Sequence, residues 1–160
     1  MGLWILVANS SKAEIYSLNG KNIERVHLFD FPEGRQRSGE VLTDKPGRAF
    51  DRPTQGRSGQ MVGRHAYSSE TDFHTHEIQL FAHRIVDVLK KEKDLNHFDS
   101  LDIVAPPQFL GELRKLLPDS IKKSIKKELN KDIPSNLSDY ERVEWLKKSL
   151  ELPKPASSLR

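Results

Sequence analysis

The chain has 160 residues, no cysteine and a formal net charge of +3 at pH 7. This length suffices for one domain with its own hydrophobic core, and the absence of cysteine excludes disulfide bonds, thiolate nucleophiles and cysteine-ligated zinc. The longest apolar run, residues 3–8, is far shorter than the roughly 20 residues of a membrane-spanning helix, so we expect no membrane segment and a cytoplasmic protein.

The first 31 residues have the pattern of three antiparallel strands. Residues 3–9 are predicted to form the first strand, because their apolar run is typical of a strand that is buried on both faces. Residues 12–18 alternate between two faces, and residues 22–31 continue as a third strand. The dipeptide Asn19-Gly20 between the last two runs is a strong hairpin signal. The sequence therefore predicts an N-terminal antiparallel meander.

Residues 32–71 are predicted to form one long loop, because they follow neither a helical nor a strand period. Loops of this length inside a compact domain are uncommon and are often functional. Between residues 33 and 65 the chain holds six of its nine glycines, and seven lysines and arginines against four acids. The loop therefore combines backbone freedom with positive charge.

This composition indicates a nucleic-acid ligand. Glycine lets the backbone approach a ligand closely, and arginine pairs with phosphate through two parallel hydrogen bonds. The candidate nucleic-acid-binding residues are Arg48, Arg52, Arg57, Arg64 and His65. The alternative is a solvated loop whose arginines pair with its own acids.

The rest of the chain combines helices with a strand. An apolar stripe predicts a helix over residues 72–91, with capping groups at 70–72. Residues 101–105 form a short apolar strand, and residues 108–117 and 138–150 are predicted helices.

One segment fits two structures. In residues 120–132 the apolar residues are four apart, which satisfies both a helical stripe and one face of a strand. The elements together predict a single α/β domain over residues 1–150, with a mixed β-sheet and flanking helices. Residues 151–160, with two prolines and two serines, are expected to form a flexible tail.

Two further groups of polar residues are candidate sites, one for a metal ion and one for a nucleic-acid backbone. Asp72, His74, His76 and Glu77 offer metal ligands, yet only Asp72 and His76 lie four apart on one polar face. Two ligands make a weak site, so we expect no metal and no cofactor. A strip of lysines could follow a nucleic-acid backbone or act only as a solubilising face; its members are Lys122, Lys123, Lys126, Lys127 and Lys131.

Several short motifs carry a resemblance to a known family. They are Val7-Ala8-Asn9, Ala13-Glu14-Ile15-Tyr16, Gly63-Arg64-His65-Ala66, His76-Glu77, Phe81-Ala82, Val104-Ala105-Pro106-Pro107 and Phe109-Leu110-Gly111-Glu112-Leu113-Arg114. With these motifs the chain resembles the bacterial family of proteins required for attachment to host cells, over nearly its whole length to about residue 150.

That family in turn resembles the central domain of archaeal and eukaryotic class-1 peptide-chain release factors, which has a ribonuclease H-like α/β fold. In those factors a loop carrying Gly-Gly-Gln lies just before a long helix and enters the peptidyl-transferase centre of the ribosome. Here Gly59-Gln60 lies in a comparable place, with Ser58 instead of the first glycine. The resemblance implies a ribonuclease H-like fold, a strand at 120–130, and Gly59 and Gln60 as catalytic residues of peptidyl-tRNA ester hydrolysis.

These observations support two hypotheses. The first is a translation-related module that binds the ribosome or a structured RNA through its basic loop. The second is a non-enzymatic protein-interaction module, whose loop becomes ordered on a protein partner and which affects attachment to host cells indirectly.

Overall fold

The computed structural model describes residues 2–32 and 65–152, and of residues 65–71 only the backbone. Five strands form one sheet in the order β3-β2-β1-β4-β5. The strands are β1 (Leu3–Ala8), β2 (Lys12–Asn19), β3 (Asn22–Asp30), β4 (Ser100–Ala105) and β5 (Ile125–Asn130). The pairs β1–β2 and β2–β3 are antiparallel, whereas β1–β4 and β4–β5 are parallel. The predicted mixed α/β sheet with its N-terminal meander is confirmed.

Four helices accompany this sheet in the described part of the chain. They are α1 (His65–Asp94), α2 (Pro107–Leu116), α3 (Asp119–Lys122) and α4 (Asp139–Ser149). The helices α2 and α4 match the predicted segments to within one residue, and Ser138 caps α4 through a capping box with Glu141.

The first long helix begins earlier than the sequence pattern indicated. It starts at His65, so the prediction of a loop that continues to residue 71 is wrong for residues 65–71. Residues 70–72 resemble a helix cap, but here they lie inside α1. The physical reason is that a helix with a strongly buried apolar stripe extends at little cost into neighbouring polar residues, since propagation is far easier than nucleation. Residues 33–64 of the predicted loop lie outside the described residues.

The segment after α2 is divided between two elements. Residues 119–122 form α3, which buries Ile121 completely, and β5 begins at Ile125. The strand that the resemblance implied at 120–130 is therefore confirmed from residue 125 onward, and its first part is helical. The four-residue spacing could not distinguish the two structures because Ile121 and Ile125 belong to different elements.

The sheet is covered on both faces, which explains the continuous apolar run of β1. Trp4, Leu6 and Ala8 face a core formed with α1, α2 and α3. Ile5 and Val7 face a second, smaller core under α4. In the larger core, Phe31 stacks on Phe81 with ring centroids 5.0 Å apart, and many small dispersion contacts of this kind hold the layers together.

Local contacts define both the β2–β3 turn and the C-terminal end of the described chain. The β2–β3 hairpin turns at Gly20, whose φ of 63° is readily adopted by glycine, which confirms the hairpin signal. After α4, Leu152 still donates its backbone N–H to the Lys147 carbonyl and packs against the smaller core. Residues 153–160 of the predicted tail lie outside the described residues.

Candidate functional site

The carboxyl ends of β1, β4 and β5 lie at the same end of the sheet, and the turn after β1 lies there too. In open α/β sheets, ligands bind outside the carboxyl ends of the parallel strands. Two cavities open here and share Asn9 and Ser11 in their walls. The first, of about 350 Å³, lies on the α4 side and is called the Glu14 cavity; the second, of about 180 Å³, lies on the α1 side and is called the His74 cavity.

The turn between the two cavities is held by the side chain of Asn9. Its Oδ1 atom accepts hydrogen bonds from the backbone N–H of Ser11 and of Lys12, both at 2.9 Å, and from the Ser11 hydroxyl at 3.1 Å. The backbone N–H of Asn9 donates to the Lys12 carbonyl at 2.9 Å. The asparagine side chain replaces a backbone partner in this way in many tight turns. The turn therefore holds the start of β2 in a fixed position beside the Glu14 cavity.

A buried carboxylate forms the floor of the Glu14 cavity. Glu14 is 1% exposed, and its Oε2 atom accepts hydrogen bonds from the Tyr16 hydroxyl at 2.7 Å and from Arg142 Nη1 at 2.9 Å. Its Oε1 atom lies 3.1 Å from Lys12 Nζ and 3.3 Å from Arg25 Nη1. Burial alone would raise the pKa of Glu14, but the hydrogen bonds from Tyr16 and Lys12, with the charges of Arg142 and Lys12, outweigh burial and lower it. Glu14 is therefore an anion at neutral pH.

Arg142 on α4 is the main partner of this carboxylate. It is 6% exposed, and two further groups hold its guanidinium: Nε donates to the Leu137 carbonyl at 3.1 Å, and Nη2 donates to the Ser135 carbonyl at 3.3 Å. Hydrogen bonds in several directions fix a planar guanidinium in one orientation. The ion pair thus joins α4 and the segment before it to the centre of the sheet.

This arrangement is suited to binding and not to proton transfer. The Tyr16 pKa is raised, first by burial and then by its hydrogen bond to Glu14, so the phenol remains a hydrogen-bond donor. A general acid or base needs a pKa near the working pH. Glu14 is held as an anion and Tyr16 as a neutral phenol, so the pKa of neither group lies near neutral pH.

The site residues predicted from the sequence lie elsewhere in the chain. Gly59, Gln60, Arg48, Arg52, Arg57 and Arg64 are outside the described residues. His65 is the first residue of α1, and its side chain is also outside what the structure describes. Their proposed catalytic and nucleic-acid-binding roles stay predictions.

The other polar candidates are dispersed. Asp72 and His76 are exposed on α1, whereas His74 lines the cavity that bears its name. Within residues 2–32 and 72–152, whose side chains are described, no three His, Asp or Glu side chains converge as a metal site would require. In the lysine strip, Lys127 donates from Nζ to the Leu150 carbonyl at 2.6 Å, so this member has a structural role.

The Glu14 cavity was not predicted as a site. The alternation of β2 does place Glu14 and Tyr16 on one face. A charged residue and an aromatic residue that share one face of a strand, next to a fully apolar strand, are a signal that could have identified Glu14 as a site residue. Its main partner, Arg142, belongs to a polar helix 128 residues away in the sequence. No local pattern connects the two residues.

The model of one protein family matches residues 4–138 of the chain, and its description is "Protein required for attachment to host cells". No curated protein matches the chain in sequence. Within the part of the chain that the structure describes, none of the helices combines the length and the hydropathy that crossing a membrane requires.

Two solved structures from archaea resemble the chain. The crystal structure of archaeal translation termination factor aRF1 is similar in fold, with a TM-score of 0.50 and 10% sequence identity, and the match covers 94% of this chain and 34% of that chain. A second structure, of an archaeal protein, has a TM-score of 0.47 and 12% identity, with the same coverage. The chain thus spans about a third of the length of these proteins, and the likeness to the termination factor concerns the fold.

Proposed function

The chain belongs to the family of proteins required for attachment to host cells, and we propose that it is a translation-related RNA-binding module. In this proposal residues 33–64 contact the ribosome or another structured RNA, and Arg48, Arg52, Arg57, Arg64 and His65 provide the contacts. The fold shared with a translation termination factor supports a link to translation.

The distribution of charge is the observation that carries the proposal. Residues 33–64 hold seven of the 26 lysines and arginines and four of the 23 aspartates and glutamates, a net charge of +3. The rest of the chain carries 19 residues of each sign, so its net charge is zero. A segment with a net positive charge in an otherwise neutral chain meets the electrostatic requirement for contact with a nucleic-acid backbone.

The described residues before and after residues 33–64 include groups near the carboxyl end of β1. Phe31 donates its backbone N–H to the Ser11 carbonyl at 2.7 Å, so the chain leaves the sheet beside the turn at Asn9. On the other side, His74 of α1 lines a cavity together with Asn9. From His74 the helix extends nine residues towards its N-terminus at His65, a distance of about 14 Å along the axis at the usual helical rise. The described chain therefore leaves the sheet at the end where α/β sheets usually bind ligands.

The binding test compares two variants with equal changes of charge. The first replaces Arg48, Arg52, Arg57 and Arg64 with glutamine; the control replaces the exposed Lys122, Lys123, Lys126 and Lys131 with glutamine. Both are measured by cosedimentation with purified ribosomes and by gel shift with ribosomal RNA, at about 50 and about 200 mM salt.

We expect the wild-type protein to bind at the lower salt concentration and to lose affinity at the higher one. The arginine variant should bind at least about tenfold more weakly, and the lysine variant should bind like the wild type. Absence of binding at low salt, or an equal loss of affinity in both variants, would contradict the proposal.

Gly59 and Gln60 are the candidate hydrolytic residues within this proposal. The backbone N–H of Gln60 would stabilise the oxyanion that forms when water attacks the peptidyl-tRNA ester, and its side chain would exclude or orient water. Replacing Gln60 with alanine removes the side chain and no charge, so it separates hydrolysis from electrostatic binding. In a peptidyl-tRNA hydrolysis assay, a loss of rate with unchanged ribosome affinity would support a hydrolytic role of the Gln60 side chain, and an unchanged rate would exclude that role.

A second candidate function, a protein-interaction module, is favoured by strand β3. This strand lies at the edge of the sheet, and Val26 and Leu28 on it are 41% and 52% exposed. Exposed edge strands accept an added strand from a partner protein. Pull-down in the presence of nuclease, with Leu28→Lys compared with the control Leu80→Lys at an exposed helical position, would test this. A protein partner that stays bound after nuclease treatment, and that is lost with Leu28→Lys but not with Leu80→Lys, would support the protein-interaction function.

A further inference from the structure

We propose that the Glu14 cavity binds a small molecule that carries a phosphate or carboxylate group, with Lys12 and Arg142 as its anion-binding residues. The cavity volume of about 350 Å³ is within the usual range for small-molecule sites. The cavity lies at the carboxyl end of β1, where open α/β sheets bind their ligands. The residues that carry this proposal all belong to the described part of the chain, and the proposal uses none of residues 33–64.

The charges in the cavity wall do not balance. Lys12 and Arg142 both contact the single carboxylate of Glu14, at 3.1 and 2.9 Å. The third cation near this carboxylate, Arg25, has a second acid of its own, since it lies 3.1 Å from Asp139. Among the described residues of the wall, there are therefore two cations for one anion. A ligand with one negative charge would complete the balance.

The depth of these charges also fits a binding site. The side chains of Glu14 and Arg142 are only 2% and 7% exposed. Removing two charges from water is costly, and well-packed apolar residues in their place are often as stable or more stable. Lys12 differs, because its side chain is 30% exposed and lines the cavity. A ligand anion can thus reach one accessible cation backed by a buried one.

The donors are held in place before any ligand arrives. Arg142 is fixed by the carbonyl oxygens of Ser135 and Leu137 as well as by Glu14. Lys12 begins β2 directly after the turn that Asn9 holds through two backbone hydrogen bonds. Donors that need no reorganisation lose little entropy on binding, which raises affinity.

The wall also contains apolar residues, which define the ligand further. Val7, Ala8 and Ile133 line the cavity, together with the hydroxyl-bearing Ser11 and Ser135. This combination suits an anionic group attached to a less polar body, in which the anion contacts Lys12 and the body contacts the aliphatic side chains. A nucleoside monophosphate and an aromatic carboxylate both have this chemistry.

Titration calorimetry on the full chain tests the proposal with three probes: inorganic phosphate, adenosine monophosphate and benzoate. Lys12→Gln removes the accessible cation, and Ser135→Trp fills the cavity while leaving the Ser135 carbonyl available to Arg142. Lys21→Gln is the matched control, because Lys21 is exposed in the β2–β3 turn and does not line this cavity. Circular dichroism and thermal unfolding verify that each variant is folded.

We expect at least one probe to bind the wild-type protein at millimolar or lower concentration. Lys12→Gln should weaken this binding about tenfold, Ser135→Trp should abolish it, and Lys21→Gln should leave it unchanged. Backbone amide chemical shifts should change around residues 9–12 and 135–142. The proposal fails if none of the probes binds, or if Lys12→Gln and Lys21→Gln reduce binding equally. Failure of RNA binding by residues 33–64 would leave this result unaffected, so the two proposals are separable.

Discussion

Glu14 and Arg142 are 128 residues apart in the sequence, and their side chains form a buried ion pair with Oε2 and Nη1 2.9 Å apart. The pair joins β2, at the centre of the N-terminal meander, to α4 near the end of the described chain. Because α4 covers the face of the sheet opposite α1, this contact helps to close the second, smaller core.

The first prediction concerns this ion pair. Glu14→Gln should lower the free energy of unfolding at pH 7 by about 3 kcal/mol, because the buried guanidinium of Arg142 loses its counter-charge. The pKa of Glu14 is lowered in the folded protein, so the carboxylate stabilises the fold above its ordinary pKa of 4.5 and this contribution is lost as the pH falls below that value. Urea unfolding at neutral and acidic pH should show the difference between the two proteins shrinking in acid.

A double-mutant cycle provides the control for this prediction. Glu14→Leu combined with Arg142→Met should cost clearly less stability than the sum of the two single changes, since neither charge is left alone. Costs that simply add would show that the two side chains do not stabilise each other.

The second prediction concerns Asp102 on β4, which is 2% exposed and whose Oδ1 atom has no hydrogen-bond partner among the described residues. Burial raises its pKa, and the charge of Lys127 only partly opposes this. An acid whose pKa is higher in the folded state destabilises the fold as the pH rises above its ordinary pKa of 3.8. Asp102→Asn should therefore stabilise the protein at pH 7 by about 1 kcal/mol, and the gain should vanish below pH 3.8.

The exposed Asp99 is the matched control for Asp102. Asp99→Asn should change the free energy of unfolding by no more than about 0.5 kcal/mol at either pH. Chemical denaturation across this pH range measures both variants, and a destabilised Asp102→Asn at pH 7 would refute the assignment.

The third prediction contrasts two glycines. Gly20 has a φ of 63°, a conformation that costs an L-residue about 1 kcal/mol, so Gly20→Ala should destabilise the hairpin by about that amount. Gly111 lies inside α2, and a Cβ atom there would meet nothing within 4 Å. Gly111→Ala should stabilise the protein by about 1 kcal/mol, because alanine favours a helix over glycine. Thermal unfolding would show opposite shifts, and shifts of the same sign would contradict the geometry.

The fourth prediction concerns the larger core. Phe81 is 1% exposed and lies against the rings of Phe31 and Phe109, with centroids 5.0 and 5.8 Å away. Phe81→Ala should cost about 3 to 5 kcal/mol through lost burial and the cavity it leaves. Phe73→Ala on the same helix removes a ring that is 44% exposed, and it should cost no more than about 1 kcal/mol. Equal losses in denaturant unfolding would mean that Phe81 is not a core residue in solution.

The strands and most helices could be predicted because their signals are local. The apolar run of β1, the Asn19-Gly20 hairpin and the period of α2 each depend on neighbouring residues, and each was located to within about two residues. The start of α1 was missed for the same reason. Its first residues are polar, and a local pattern of capping groups at 70–72 outweighed the longer helix that packing stabilises.

The candidate site could not be predicted in the same way. The strand pattern, the family and the concentration of positive charge in residues 33–64 follow from the sequence alone, because composition and short-range periods depend on neighbouring residues along the chain. The contact between Glu14 and Arg142, beside a cavity at the carboxyl end of β1, is visible only in three dimensions. A contact between residues so distant in sequence depends on how the strands pair and how α4 packs across the sheet, and no local pattern encodes that geometry.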